Sequence, residues 1–159
     1  MAENSEVIEV LNDLILINND RIAGYEKAYD ETKQIETDLR AMFKNLADQS
    51  RGYVTDLKGE VIKYGGEPAS GTLTSGKLYR VWMDVRSVFT TDNRKAVLEN
   101  AETGEDAARK AYEEASKTEL PADIRQLILS QQTSILTAHD TIKRERDRQR
   151  DVTSYPLTS

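Results

Sequence analysis

Apolar residues recur in steps of three and four along stretches that no proline interrupts, and this pattern leaves the chain little choice but long helices. The prolines are Pro68, Pro121 and Pro156, and only 8 of 159 residues are glycine. The first stripe runs Val7, Leu11, Leu14, Ile15, Ile22, Tyr25, Tyr29, with Asn18 and Glu26 assigned to the same face. The second runs Leu39, Met42, Phe43, Leu46, Tyr53, Leu57, Val61, Tyr64, with Gln49 in its gap. The phase slips between Thr32 and Thr37, which predicts a turn there.

Gly65-Gly66-Glu67-Pro68 predicts a firm stop for the second helix. A Gly/Ser/Thr-rich stretch follows to Gly76, then a short amphipathic helix with Leu78, Val81, Trp82, Val85 and Phe89 on one face. Ordinary burial accounts for that face, and a dimer contact is its functional alternative. Thr90-Thr91-Asp92 breaks it and caps a third long helix reaching Lys117, with Leu98, Ala101, Ala108, Tyr112 and Ala115 inward. Pro121 suits the first position of the last helix, whose stripe is Ile124, Leu127, Ile128, Ile135, Ala138, Ile142. One domain is expected over residues 1–150, with a flexible tail over 151–159. Two helical hairpins joined by one long crossover make an all-α, up-down-down-up four-helix bundle, the ferritin-like variant.

Composition excludes several function classes. A formal net charge of −6 argues against a general nucleic-acid binder. The basic run from Lys143 to Arg150 is interleaved with Glu145 and Asp147, as on a solvated helix end. The absence of cysteine excludes disulfides, thiolate zinc sites and cysteine nucleophiles, and it fits a cytoplasmic location. The longest apolar run, Leu14 to Ile17, is too short to cross a membrane, and the acidic N-terminus does not resemble a signal peptide.

Four polar residues fall on or beside the apolar stripes, one per long helix: Glu26, Gln49, Glu105 and His139. At 1.5 Å rise per residue, Glu26 and His139 lie about 13 Å below the top of such a bundle, and Gln49 and Glu105 about 18 Å. Buried polar groups are costly without partners, so four at one depth suggest a shared network or a metal site. Tyr25, Tyr53 and Tyr112 fall near the same layer. Taken singly, a glutamate beside a stripe ordinarily reaches for water, and a lone histidine is ordinarily structural.

Several segments resemble an uncharacterised bacterial family of ferritin-like four-helix-bundle proteins. They are Leu11-Asn-Asp-Leu-Ile-Leu-Ile-Asn-Asn-Asp20 with Gly24-Tyr-Glu-Lys-Ala28, Tyr64-Gly-Gly-Glu-Pro68, Trp82-Met-Asp84, Gly104-Glu-Asp106 with Tyr112, and Ala138-His-Asp140. The resemblance spans about residues 6–148 and implies a fold but no reaction; some ferritin-like relatives are associated with bacterial stress responses. Di-iron members of the wider superfamily use a glutamate from each of two helices and Glu-x-x-His from each of the other two. By that resemblance Glu26 and Glu105 stand for the single glutamates. Gln49-Ser-Arg-Gly52 lacks both ligands of one motif, and Leu136 stands where the glutamate paired with His139 belongs. Two carboxylates, an amide and one imidazole would leave two irons under-neutralised in a low-dielectric core. The resulting expectation is a non-catalytic, stress-related or interaction protein, homodimeric, with a buried polar cluster and no cofactor. The alternative is an iron- or manganese-dependent oxidase or peroxidase, or an iron-binding protein. It would hold one iron, manganese or zinc ion on Glu26, Glu105 and His139.

Overall fold

The computed structural model describes residues 2–34, 36–72 and 94–154. Four helices account for most of them: α1 (Ala2–Glu31), α2 (Thr37–Lys63), α3 (Arg94–Lys117) and α4 (Ala122–Ser154). No strand occurs among the described residues. The most extensive packing is within the hairpins, α1 on α2 and α3 on α4; α1 also packs on α3, and α2 touches α4 more lightly. The expected amphipathic helix around Trp82, and the break at Thr90-Thr91-Asp92, lie outside the described residues. Residues 151–154, expected in the tail, continue α4 through Ser154, and the rest of that tail lies outside the described residues.

Each hairpin turn is closed by an arginine of the following helix. The last carbonyls of a helix have no partner within it. At the first turn Arg40 donates to the carbonyls of Tyr29 (3.1 Å) and Thr32 (3.0 Å), and its guanidinium lies 4.0 Å from the Tyr29 ring centroid. At the second, Arg125 donates to the carbonyls of Ser116 (2.8 Å) and Thr118 (2.9 Å). Asp123 in the first turn of α4 and Lys63 and Lys117 in the last turns of α2 and α3 complement the helix dipoles.

Helix α2 ends in a Schellman arrangement: Gly66 N–H bonds the Val61 carbonyl (2.9 Å) and Gly65 N–H that of Ile62 (3.0 Å). Gly65 takes φ +85°, a conformation other residues avoid. At Gly66 a Cβ would lie 2.8 Å from Ile8 Cγ2, so glycine lets the chain cross close over α1. The connection then climbs α1: Asn12 brackets it through the Glu67 carbonyl (3.1 Å) and the Ala69 N–H (2.8 Å), and Asn19 holds the Gly71 carbonyl (2.8 Å). Residues 67 to 71 therefore run in the direction of α1, as a bottom-to-top crossover requires.

The apolar core is divided. A lower cluster joins Leu11, Leu14, Leu57, Val61, Tyr112, Ile124 and Ile128 with further residues of all four helices. An upper one joins Tyr25, Leu39, Phe43, Ala47, Val97, Leu98, Ala101 and Ile142. Between them lies a belt of buried polar side chains that includes Asn18, Arg21, Ser50 and Glu105.

A candidate functional site at the polar belt

Arg21 is the centre of the belt. The α1 stripe steps Leu11, Leu14, Asn18, Arg21, Tyr25, and all five are buried. The Arg21 guanidinium therefore enters the core, and each of its three nitrogens donates a hydrogen bond. Nε donates to Glu105 Oε1 at 2.6 Å, Nη1 to Ser50 Oγ at 2.7 Å and Nη2 to Gln49 Oε1 at 3.1 Å. The same Glu105 oxygen accepts a hydrogen bond from the Tyr25 hydroxyl. The Arg21 and Glu105 side chains are 2% and 1% exposed, so this is a buried ion pair bound to three helices.

Each charge needs the other here. Burial works against the Arg21 cation, but Glu105 foremost, with Tyr25 and Tyr53, outweighs it and raises the guanidinium's pKa. Burial, then the Glu105 anion, holds the Tyr25 hydroxyl well above its ordinary range against the pull of Arg21, so Tyr25 remains a donor. Half-buried Tyr53 is also raised, chiefly by burial.

A second node lies below. Asn18 Nδ2 donates to the Tyr112 hydroxyl (2.8 Å) and to the Leu14 carbonyl (2.8 Å), and Tyr112 donates to Gln131 Oε1 (2.6 Å). Burial raises the Tyr112 pKa, with Asn18 and Arg21 opposing. The two nodes, one above the other, together tie all four helices, with α1 and α3 common to both.

The four residues singled out in the sequence divide in two. Gln49 and Glu105 meet on Arg21. Glu26 does not join them: its side chain is 55% exposed and pairs with Arg51 of α2, which also holds Asp48 at 2.6 Å. Glu26 follows Tyr25 by one residue, a rotation of about 100°, which carries it off the inward face. His139 lies at the α3–α4 edge, 3.5 Å from Asp106 through Nε2 and 3.5 Å from Asp140 through Nδ1. Burial raises the Asp106 pKa, but Arg109, Lys110 and His139 outweigh it, so the carboxyl stays below its ordinary value. One turn above Asp106 on α3, Glu102 pairs with Arg146 of α4. Leu136, which stands where the resemblance places the glutamate paired with His139, is 46% exposed, so a carboxylate at that position would face outward. Tyr25 and Tyr112 are full members of the nodes.

Arg21, Ser50 and Gln131 escaped sequence reasoning. Arginine and glutamine are mostly surface residues, and a serine beside a glutamine carries no signal of its own. The signal for Arg21 was its place in the 3-4 stripe, three residues after Asn18 and four before Tyr25.

These residues do not fit a metal of the ferritin-like type. A divalent ion beside Glu105 would meet the Arg21 cation, Glu26 turns away, and His139 is engaged at another edge. Among the described residues no group of three or more His, Asp or Glu side chains is placed to hold a metal ion. No described helix is long and apolar enough to cross a membrane.

The helix order, hairpin pairing and climbing crossover define a ferritin-like helical bundle. Comparison with solved structures agrees. A mutant of Mycobacterium smegmatis Dps1 superposes with TM-score 0.77 at 13% identity, covering 91% of this chain and 97% of that one. A ferritin-like di-iron-carboxylate protein from Bacillus anthracis gives TM-score 0.68 at 19% identity, with coverages of 93% and 97%. A dodecameric thioferritin, the bacterioferritin-related protein of Bacteroides fragilis, gives 0.66 at 15%, with coverages of 96% and 92%. No curated protein matches the chain. Residues 6–118 match the domain of unknown function DUF2383, and the chain belongs to that family.

Proposed function

We propose that this protein is a non-catalytic ferritin-like bundle that acts through its surface. In this reading, an internal ion pair replaces metal at its centre. The observation that carries the reading is Arg21, whose guanidinium donates to Glu105, Ser50 and Gln49 at once. A guanidinium supplies in one rigid fork what a metal supplies by coordination: a cation that fixes side chains from several helices. A one-turn slip of α1, about 5.4 Å, would drive that cation into apolar surroundings, so the pair fixes helix register. No step of a reaction is assigned to this centre. Homodimeric assembly in the cytoplasm belongs to the same proposal, and a stress-related setting is carried over from the family resemblance alone.

Metal analysis of untagged protein purified without chelator tests the reading. Iron, manganese and zinc should each stay far below one per chain, with no difference between wild type and Glu105→Ala. Near-stoichiometric metal that is lost on Glu105→Ala, with helicity retained by circular dichroism, overturns it. Light scattering tests the assembly: a dodecamer like the Bacteroides fragilis thioferritin would replace the homodimer.

A further inference from the structure

The outer face of α4 breaks the charge pattern of the rest of the molecule. Helix α2 exposes Asp38, Lys44, Asp48, Arg51, Asp56, Lys58 and Lys63, and α3 ends with Lys110, Glu113, Glu114 and Lys117 exposed. From Gln126 to His139, by contrast, α4 contains no Asp, Glu, Lys or Arg. Its exposed seam reads Ala122, Gln126, Leu129, Thr133, Leu136, Asp140, Lys143, with spacings alternating four and three throughout. On this face, which points away from the bundle's own core, the apolar Ala122, Leu129 and Leu136 recur every seven residues, at one of the two seam positions of each heptad, with the polar Gln126 and Thr133 at the other. Leu129 and Leu136 stand 45% and 46% exposed on it. The one other large apolar side chain exposed among the described residues, Ile62, is on α2 beside the foot of α4, where Lys63 and Tyr64 reach Asp123.

The geometry points to this seam as the contact with a second copy of the chain, the two α4 helices antiparallel about a two-fold axis beside Thr133. The inference rests on the dimeric assembly proposed above. Charge selects both the occupant and the direction. A chain of net charge −6 meets its own copy most easily across a face whose middle, from Gln126 to His139, carries no Asp, Glu, Lys or Arg. A two-fold contact is self-complementary, so each pair occurs twice. The antiparallel register sets Leu129 on the second copy's Leu136 and Gln126 on its Asp140, and no like charges meet. A parallel register would set Asp140 on Asp140 and Lys143 on Lys143, which disfavours it. The seam is about 32 Å long at 1.5 Å per residue, and one helix pair buries less than the about 800 Å² per partner of a standard interface. The dimer is therefore weak, dissociating in the micromolar range or above.

Sedimentation of the full chain from micromolar to millimolar concentration tests this, with circular dichroism to confirm folding. Wild type should show a monomer–dimer equilibrium. L129E and L136K should each weaken it by about tenfold or more. The double variant L129E/L136K should recover it, because only the antiparallel register brings opposite charges together. A wild type that stays monomeric throughout overturns both the dimer and the seam. A dimer indifferent to both single changes leaves the dimer standing and removes the seam. Loss in the single variants without recovery in the double removes the antiparallel register.

Discussion

Glu26 and Glu105 are the same carboxylate in two settings. Each pairs with an arginine of another helix, and in sequence each sits against an apolar stripe. Glu26 and Arg51 are 55% and 45% exposed; Glu105 and Arg21 are 1% and 2% exposed. Water already solvates the first pair, so its formation gains little. The second has no water to fall back on, and each member makes the other's burial tolerable. The lesson is that an ion pair's importance to this fold is set by what remains when one partner is removed.

The largest expected effect follows from Arg21→Met, which strands Glu105 and frees Ser50 and Gln49. Urea denaturation should show a loss of about 3–5 kcal/mol. Removing both charges in R21M/E105L should return most of that loss; a double variant as unstable as the single would break the comparison. Tyr112→Phe sharpens it with a neutral group. Taking away the hydroxyl between Asn18 and Gln131 should cost about 1–3 kcal/mol, because both amides stay buried. Glu26→Ala should cost no more than about 1 kcal/mol, and less as salt is added. A loss as large as that of Arg21→Met would show that exposure is the wrong criterion.

The smallest effect is one that disappears in acid. Asp106 titrates below its ordinary value of 3.8 in the folded protein. Its stabilisation is therefore complete above that value and fades as pH falls through the lower, folded one. Asp106→Asn should lower stability slightly and evenly above pH 3.8 and converge with wild type in stronger acid, which flattens the acid limb; a loss that persists undiminished in strong acid would contradict the assignment.

The fold was legible because its signals are redundant. The stripe phases, the slip between Thr32 and Thr37, the glycines before Pro68 and the helix start after Pro121 all mark the same four helices, and the glycine stop of α2 falls where its periodicity ends. The site was legible in part. Glu105, Gln49, Tyr25 and Tyr112 stood out as polar or amphipathic groups at core spacing. Glu26 and His139 stood out for the same reason, but they sit at stripe edges, where one residue of phase decides between core and water. Arg21 was hidden because its residue type ordinarily argues for the surface, and no local pattern announces a partner 84 positions away. Shared depth along the axis is readable from spacing; which neighbour a long side chain reaches is not.

The polar belt also bears on how the molecule comes apart. It separates a lower apolar cluster from a smaller upper one, so the bundle holds two oily compartments in series rather than one. Cooperativity need not cross that boundary undiminished. The upper compartment, with Tyr25, Phe43, Leu98 and Ile142, can open while the lower remains closed, and the Arg21–Glu105 pair marks where such an opening would stop. Amide hydrogen exchange should then show two tiers of protection within a single helix, slower in α1 before Asn18 and faster beyond Tyr25.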